Sequence, residues 1–367
     1  MAHAVTPWQI MILALALGAL GGGALAGRPG RGRPTVGAIR WDAWFRDNDY
    51  EKFLQPEEWR SRLPFYARVT PDGRAEVRSD SQETMDQEIA YASAAGLDYW
   101  AFCYYHPRSW EGADRYNYGW KLYLSSKRKS ELNFCLILQA SSHLGPTAEW
   151  PEAVAQFVRL FKGPTYQRVP GGRPLVYVLR IDEMDQHFGS HAAACEALEE
   201  LRRQAVAAGL PSPYLVAQTY SPAEGAKFVE EYGFDAVSAY SAPGWDQHKE
   251  YPFSVLARVN RGFWDGCKAA GKKVIPIVNA GWDPRPRLGD PHHAGIYGAT
   301  PWYAEPTPFE LAAHVRSALD WVSENPTAAE ADTVLVYAWN ETDEGGWLVP
   351  TLSGGSARLD AIRKVLR

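Results

Sequence analysis

The sequence predicts a single (β/α)8 barrel, and three observations lead there. Eight segments rich in β-branched and aromatic residues recur along the chain, at 36–42, 98–106, 134–140, 174–180, 214–220, 236–241, 273–280 and 333–340. Segments with helical spacing separate them, and glycine stands where several of those should stop, at Gly96, Gly209, Gly233 and Gly271. Strands apolar on both faces, each followed by a helix, belong to a parallel sheet covered by helices, and eight such units are the number that closes it. The competing fold, an open doubly wound sheet, carries a GxGxxG turn after its first strand, which Val36-Gly37-Ala38-Ile39-Arg40 lacks.

Taken in order, the chain opens on an apolar run, residues 10–20, followed by glycines and by Ala24-Leu25-Ala26, the small-x-small pattern at which a signal peptidase cuts. Residues 1–26 are therefore expected to be removed, leaving 27–367 as one catalytic barrel domain in a secreted or periplasmic protein. Arg28, Arg31 and Arg33 follow the apolar run instead of preceding it, so a retained membrane anchor is the alternative. Strand one, 36–42, leads to a helix at 83–95 with Met85, Ile89 and Ala92 on one stripe. Strand two is aromatic, and strands two and three carry Cys103 and Cys135 within apolar runs, where a thiol behaves as a small hydrophobe. After strand four, the segment 191–208 shows an apolar stripe against a Glu and Arg face, and strands five to eight repeat the alternation.

Composition restricts the partners. With 46% hydrophobic and 22% charged residues and a mean hydropathy of −0.34, the chain buries a large core. A net charge of −5 supplies no field to gather phosphates, so no nucleic-acid partner is expected. Fifteen Trp and 19 Tyr suit either a Trp-rich core or a surface that grips pyranose rings. Neither the four cysteines nor the histidines, His292-His293 included, have metal-ligand spacing, and no metal or cofactor is expected.

In a barrel of this kind the working residues lie at the C-terminal strand ends. Those ends supply Trp41 and Asp42, Tyr105 and His106, Gln139, Asp182 with Glu183, Tyr220, Tyr240, Trp282 with Asp283, and Trp339-Asn340-Glu341. Aromatics, amides and carboxylates in this mixture fit a sugar, with rings for its apolar face and carboxylates for its hydroxyls and for acid and base work. Asp42 either binds hydroxyls or caps its own turn. Asp182 and Glu183 are either a second acidic pair or acids favoured by a nearby helix N-terminus. The sharpest feature follows strand eight, where Glu341 and Glu344 stand three residues apart, flanked by Trp339 and Trp347. If the chain turns at Thr342-Asp343, both face the barrel mouth, and two adjoining carboxyls push their proton affinities apart.

The run Ala338-Trp339-Asn340-Glu341, followed by Glu344-Gly345, resembles the A-W-N-E-W-x-E-G signature of glycoside hydrolase family 99 and its wider group, which includes WbsX-type proteins. The segments Asp86-Gln87-Glu88-Ile89-Ala90-Tyr91-Ala92, Trp100-Ala101-Phe102-Cys103-Tyr104-Tyr105 and Gly281-Trp282-Asp283-Pro284-Arg285-Pro286-Arg287 are similar to pieces of that group in the same order. The resemblance implies a barrel with a retaining, endo-acting glycosidase on α-linked mannose or glucose polysaccharides. It assigns Glu341 as the base on the sugar 2-hydroxyl, giving a 1,2-anhydro sugar, and Glu344 as the acid and then base. Thr342 and Asp343 depart from the signature, where an aromatic and a glycine are usual. A carbohydrate-binding barrel without turnover, or a WbsX-type role in polysaccharide biosynthesis under a glycosyltransferase label, are the alternatives.

Overall fold

A computed structural model describes residues 32–244 and 248–367; the expected signal segment lies outside the described residues. Residues from Arg33 to Arg367 form one unit. Its eight barrel strands are β1 (Thr35–Arg40), β2 (Tyr99–Tyr104), β3 (Asn133–Gln139), β4 (Arg173–Leu179), β5 (Tyr214–Gln218), β6 (Ala236–Ser238), β7 (Ile277–Asn279) and β8 (Thr333–Tyr337). Each falls within or at the edge of a segment predicted from the sequence. They pair in parallel in the order β7-β8-β1-β2-β3-β4-β5-β6, so the first strand lies between the second and the last.

Between β6 and β7 the ring is closed by a short ladder at Val237 and Val274, in which Val237 N donates to Lys273 O at 2.8 Å and Ile275 N to Val237 O at 2.9 Å. The segment predicted as one strand at 273–280 is therefore interrupted. Pro276 has no N–H to offer the ladder, and pairing resumes at Ile277. One long helix follows each strand in turn: α1 (Gln82–Ala95), α2 (Tyr118–Ser125), α3 (Trp150–Phe161), α4 (His191–Ala207), α5 (Pro222–Tyr232), α6 (Phe253–Ala269), α7 (Pro308–Glu324) and α8 (Ala357–Leu366), and shorter helices stand in the loops after β4 (Met184–Phe188) and β7 (Pro291–Tyr297). Their ends follow capping chemistry. Ser81 and Ser190 accept from the backbone of Thr84 and Ala193, Thr307 and Glu310 form a reciprocal capping box, and Gly96 closes α1 in the left-handed conformation at φ 90°. Among the described residues no helix is long and apolar enough to cross a membrane.

The barrel is filled by side chains. Gly37 on β1 leaves the space that the Tyr99 ring takes, and the Tyr99 hydroxyl bonds those of Tyr177 at 2.9 Å and Thr333 at 3.1 Å. At the other end a buried charge cluster joins β1 to α1 and β8. Arg40, fully buried, donates to Asp42 and to Glu88 of α1, both at 2.8 Å, while the Trp339 indole donates to the second Glu88 oxygen at 2.8 Å. Without Glu88 the buried guanidinium keeps only Asp42, and the Trp339 indole N–H loses its acceptor, so Glu88→Ala is expected to lower unfolding free energy by about 3–5 kcal/mol in chemical denaturation. A loss below about 1 kcal/mol would show the cluster to be dispensable.

Candidate active site

The site is built on the return of the chain after β8. Asn340 and Glu341 pair antiparallel with Trp347 and Gly346, bracketing one 3-10 turn at Thr342–Glu344, and Gly345 makes the turn in the left-handed region at φ 82°. Gly345 has to be glycine for a second reason, because a Cβ there would meet the backbone of Asp283 in the loop after β7. This hairpin brings both glutamates to the wall of one cleft of about 230 Å³ at the C-terminal end of the barrel.

One guanidinium holds the acidic turn together. Arg287, buried in the loop after β7, donates through Nε to Asp343 at 2.7 Å and through Nη1 to Glu344, while its Nη2 lies 3.5 Å from Glu341. Its flat face rests on Trp41 at 5.1 Å and Tyr50 at 5.2 Å. Burial alone would lower its proton affinity, but the surrounding carboxylates reverse that, and it stays charged. Glu344 accepts from two further hydroxyls, Tyr297 at 2.5 Å on Oε1 and Tyr337 on Oε2. Glu341 accepts only from Tyr240, at 2.5 Å on Oε1; its Oε2 has no hydrogen-bond donor among the described residues.

The electrostatics follow from three buried carboxylates sharing one cation. Glu341 is pushed well above the usual glutamate range, first by loss of water and then by the charge of Glu344, with Arg287 and the Tyr240 hydroxyl opposing. Asp343 is raised by burial, again against Arg287. Burial and the neighbouring carboxylates push the Tyr240, Tyr297 and Tyr337 hydroxyls up, so all three remain donors. The arrangement offers a base of raised proton affinity beside a carboxyl fixed by three donors.

Of the residues anticipated from sequence, Trp41, Tyr105, Gln139, Tyr220, Tyr240 and Trp282 line the cleft with Glu341 and Glu344. The Trp41 indole donates to the Tyr105 hydroxyl at 2.9 Å, which fixes two of these rings against each other. The others are not brought into it. Asp42 is buried against Arg40 behind the cleft, with its carboxyl pushed up to about 6 by burial in spite of that arginine. His106 faces Glu149, at 3.6 Å, and Asp182 is exposed on the turn after β4. Asp283 is held by Arg62 and Arg285, and Trp339 is fully buried against Glu88. Asn340 clamps the Trp41 backbone from both sides, accepting from its N–H at 3.0 Å and donating to its carbonyl at 2.7 Å. Trp347 is 4% exposed with the Arg358 guanidinium 3.7 Å from its ring centre.

Sequence reasoning passed over Arg287, Tyr297, Tyr337 and Asp343. Arg287 closes the segment that begins at Gly281, where Arg285 also stands, and nothing in the local sequence distinguishes the two. His293 pairs with Asp290 at 3.1 Å and stacks on Tyr297; among the described residues no group of three acidic, histidine or cysteine side chains converges on a metal position.

Comparison with known proteins agrees with this architecture. No curated relative matches the chain. Among solved structures, one described as a glycoside hydrolase-like protein superposes with a TM-score of 0.62 at 13% identity, covering 94% of this chain and 97% of that one. The family 99 endo-α-mannosidase of Bacteroides thetaiotaomicron superposes with a TM-score of 0.53 at 13% identity, over 86% of this chain and 88% of that one. At such identities the likeness shows the shared barrel. The family model described as glycosyltransferase WbsX matches residues 117–362, which span β3 to β8 and every residue of the acidic turn. The chain belongs to the family described as glycosyltransferase WbsX, and carries the paired glutamates of its acidic turn on a (β/α)8 barrel.

Proposed function

We propose that this protein hydrolyses α-linked mannose or glucose polysaccharides, with retention of configuration, using Glu341 and Glu344. The observation that carries the reading is the pair itself: two glutamates on one turn, sharing the Arg287 cation, in the wall of an aromatic cleft. Glu341 takes the proton of the sugar 2-hydroxyl, for which a carboxylate of raised proton affinity and an oxygen without a donor are suited. The 2-oxygen attacks C1 as Glu344 protonates the leaving oxygen. Water then attacks C1 and gives its proton to Glu344, the C1–O2 bond of the three-membered ring breaks as Glu341 returns its proton to the 2-oxygen, and the product keeps its configuration. Trp41, Tyr105 and Trp282 supply the apolar and hydroxyl-binding wall. In the same reading, residues 1–26 are a cleaved export signal and 27–367 the mature enzyme, so the secreted protein should begin near Gly27 by intact mass.

The experiment is a reducing-end assay on α-mannans and α-glucans, repeated on a substrate with fluorine or hydrogen in place of the 2-hydroxyl. Turnover of the parent with binding but no turnover of the 2-deoxy compound is expected. A covalent glycosyl adduct on Glu341, or an inverted product, would contradict the roles given. Transfer of the sugar only to another sugar, with no release to water, would favour the biosynthetic role that the family description carries. The pH dependence follows from the same assignment. The base must be ionised, so kcat/KM rises with pH through the raised Glu341 ionisation, above the usual glutamate range near 4.3. Tyr240 donates to that carboxylate and lowers its proton affinity. Tyr240→Phe is therefore expected to move the acidic limb to higher pH; an unmoved limb would remove Glu341 as its origin.

A further inference from the structure

A second cleft, of about 180 Å³, opens on the same face of the barrel, and Trp282 lines both it and the cleft of the glutamate pair. Its walls come from four different loops: Trp59 after β1, Glu250 after β6, Trp282 and Glu305 after β7, and Trp347 after β8. A third cleft, of about 230 Å³, continues beyond Trp347 and shares Ser61 and Glu305 with the second. The second hollow thus adjoins the first across Trp282 and the third across Trp347.

Resting on the reading of the first cleft as a glycan site, we propose that the second is a subsite for a neutral sugar unit further along the same chain. The buried parts of its wall are fixed. Asp283 accepts from two guanidiniums, Arg285 through Nε at 2.7 Å and Nη2 at 2.9 Å, and Arg62 through two nitrogens on its carboxylate and carbonyl. Each arginine carries five N–H donors and spends two on Asp283, leaving others to give to hydroxyls. Glu58 and Glu250 are exposed in the rim and Glu305 is more than half exposed, so acceptors are present as well. The indole N–H of Trp282, 5% exposed, has no acceptor among the described residues. Stacking of Arg62 and Arg285 on Trp59, at 4.5 and 5.3 Å, accounts for the order of these side chains but not for the hollow beside them. Charge decides the class of ligand. Four carboxylates, Glu58, Glu250, Asp283 and Glu305, line the cleft against the guanidiniums of Arg62 and Arg285, with Arg358 on Glu305 at 3.0 Å, which leaves an excess of one negative charge. A uronate or phosphate would meet net repulsion there, whereas a neutral pyranose uses both donors and acceptors.

The test is affinity against length. Neutral α-linked manno- and gluco-oligosaccharides of increasing length are titrated by calorimetry into the full-length Glu344→Gln protein, which prevents turnover. The expected result is a tightening of about tenfold in Kd, ~1.4 kcal/mol, at the length that first passes Trp282. That increment should be lost in Trp59→Ala, and in Glu250→Gln, a rim variant that keeps the fold if the tryptophan variant does not. Binding that does not tighten with length, or an increment unchanged in both variants, overturns the subsite and leaves the first cleft's reading standing. Failure of every oligosaccharide to bind overturns both. An increment for uronate-bearing chains alone overturns the neutral class.

Discussion

Glu341→Gln and Glu344→Gln are each expected to reduce kcat by about two to four powers of ten while the folded protein survives, because in the proposed mechanism each removes one partner in proton transfer and preserves the shape of the turn. The loss should not be additive in the double variant if both act in one step, as proposed. Circular dichroism and melting, read beside the reducing-end assay, separate this from unfolding. Near-wild-type rates in both variants would remove the pair from the chemistry, and Asp182 with Glu183 on the turn after β4 would then be tested. Asp343→Asn is the internal control. Asp343 is bound to Arg287 at 2.7 Å but does not line the cleft, so its loss should cost less than either glutamate.

Arg287→Met is expected to have the largest effect on stability and activity together. It leaves Glu341, Asp343 and Glu344 buried without their common counter-charge, and removing one partner of a buried ion pair costs about 3–5 kcal/mol. The acidic limb of the rate profile should move to higher pH at the same time, because Arg287 is the first of the groups that lower the Glu341 proton affinity. Arg287→Lys keeps the charge but not the planar fork that reaches Asp343 and Glu344 together, so stability should return further than rate. A methionine variant with normal melting and normal turnover would show that the arginine is a bystander.

The sequence made the scaffold legible because each barrel strand is apolar on both faces, a pattern that needs no partner to be recognised. The turn of glutamates was legible for a related reason: its residues are consecutive, and Gly345 marks where the chain reverses. What escaped depends on contacts distant in sequence. Trp339 looks like a sugar platform until Glu88, 251 positions earlier, is found to accept its indole N–H. Asn340 looks like a hydroxyl ligand until its amide is found on the Trp41 backbone, 299 positions away. Arg287 was the reverse case. Its approach to three carboxylates is produced by the folding of the loop after β7 onto the β8 hairpin, and nothing in its neighbours' spacing announces that meeting.

The amide of Asn340 on the backbone of Trp41 has a consequence for how the protein comes into being. The first strand of the barrel emerges from the ribosome early and finds β2 beside it, but its other edge stays vacant until the last strand is made. Only then do Asn340 reach Trp41, Trp44 donate its indole N–H to the Asn340 carbonyl at 2.9 Å, and Arg33 bind the Leu366 carbonyl at 2.7 Å. The acidic turn is assembled in the same moment as the seam. A nascent chain therefore lacks the acidic turn and its cleft during nearly all of its synthesis, and both come into existence together with the closed ring.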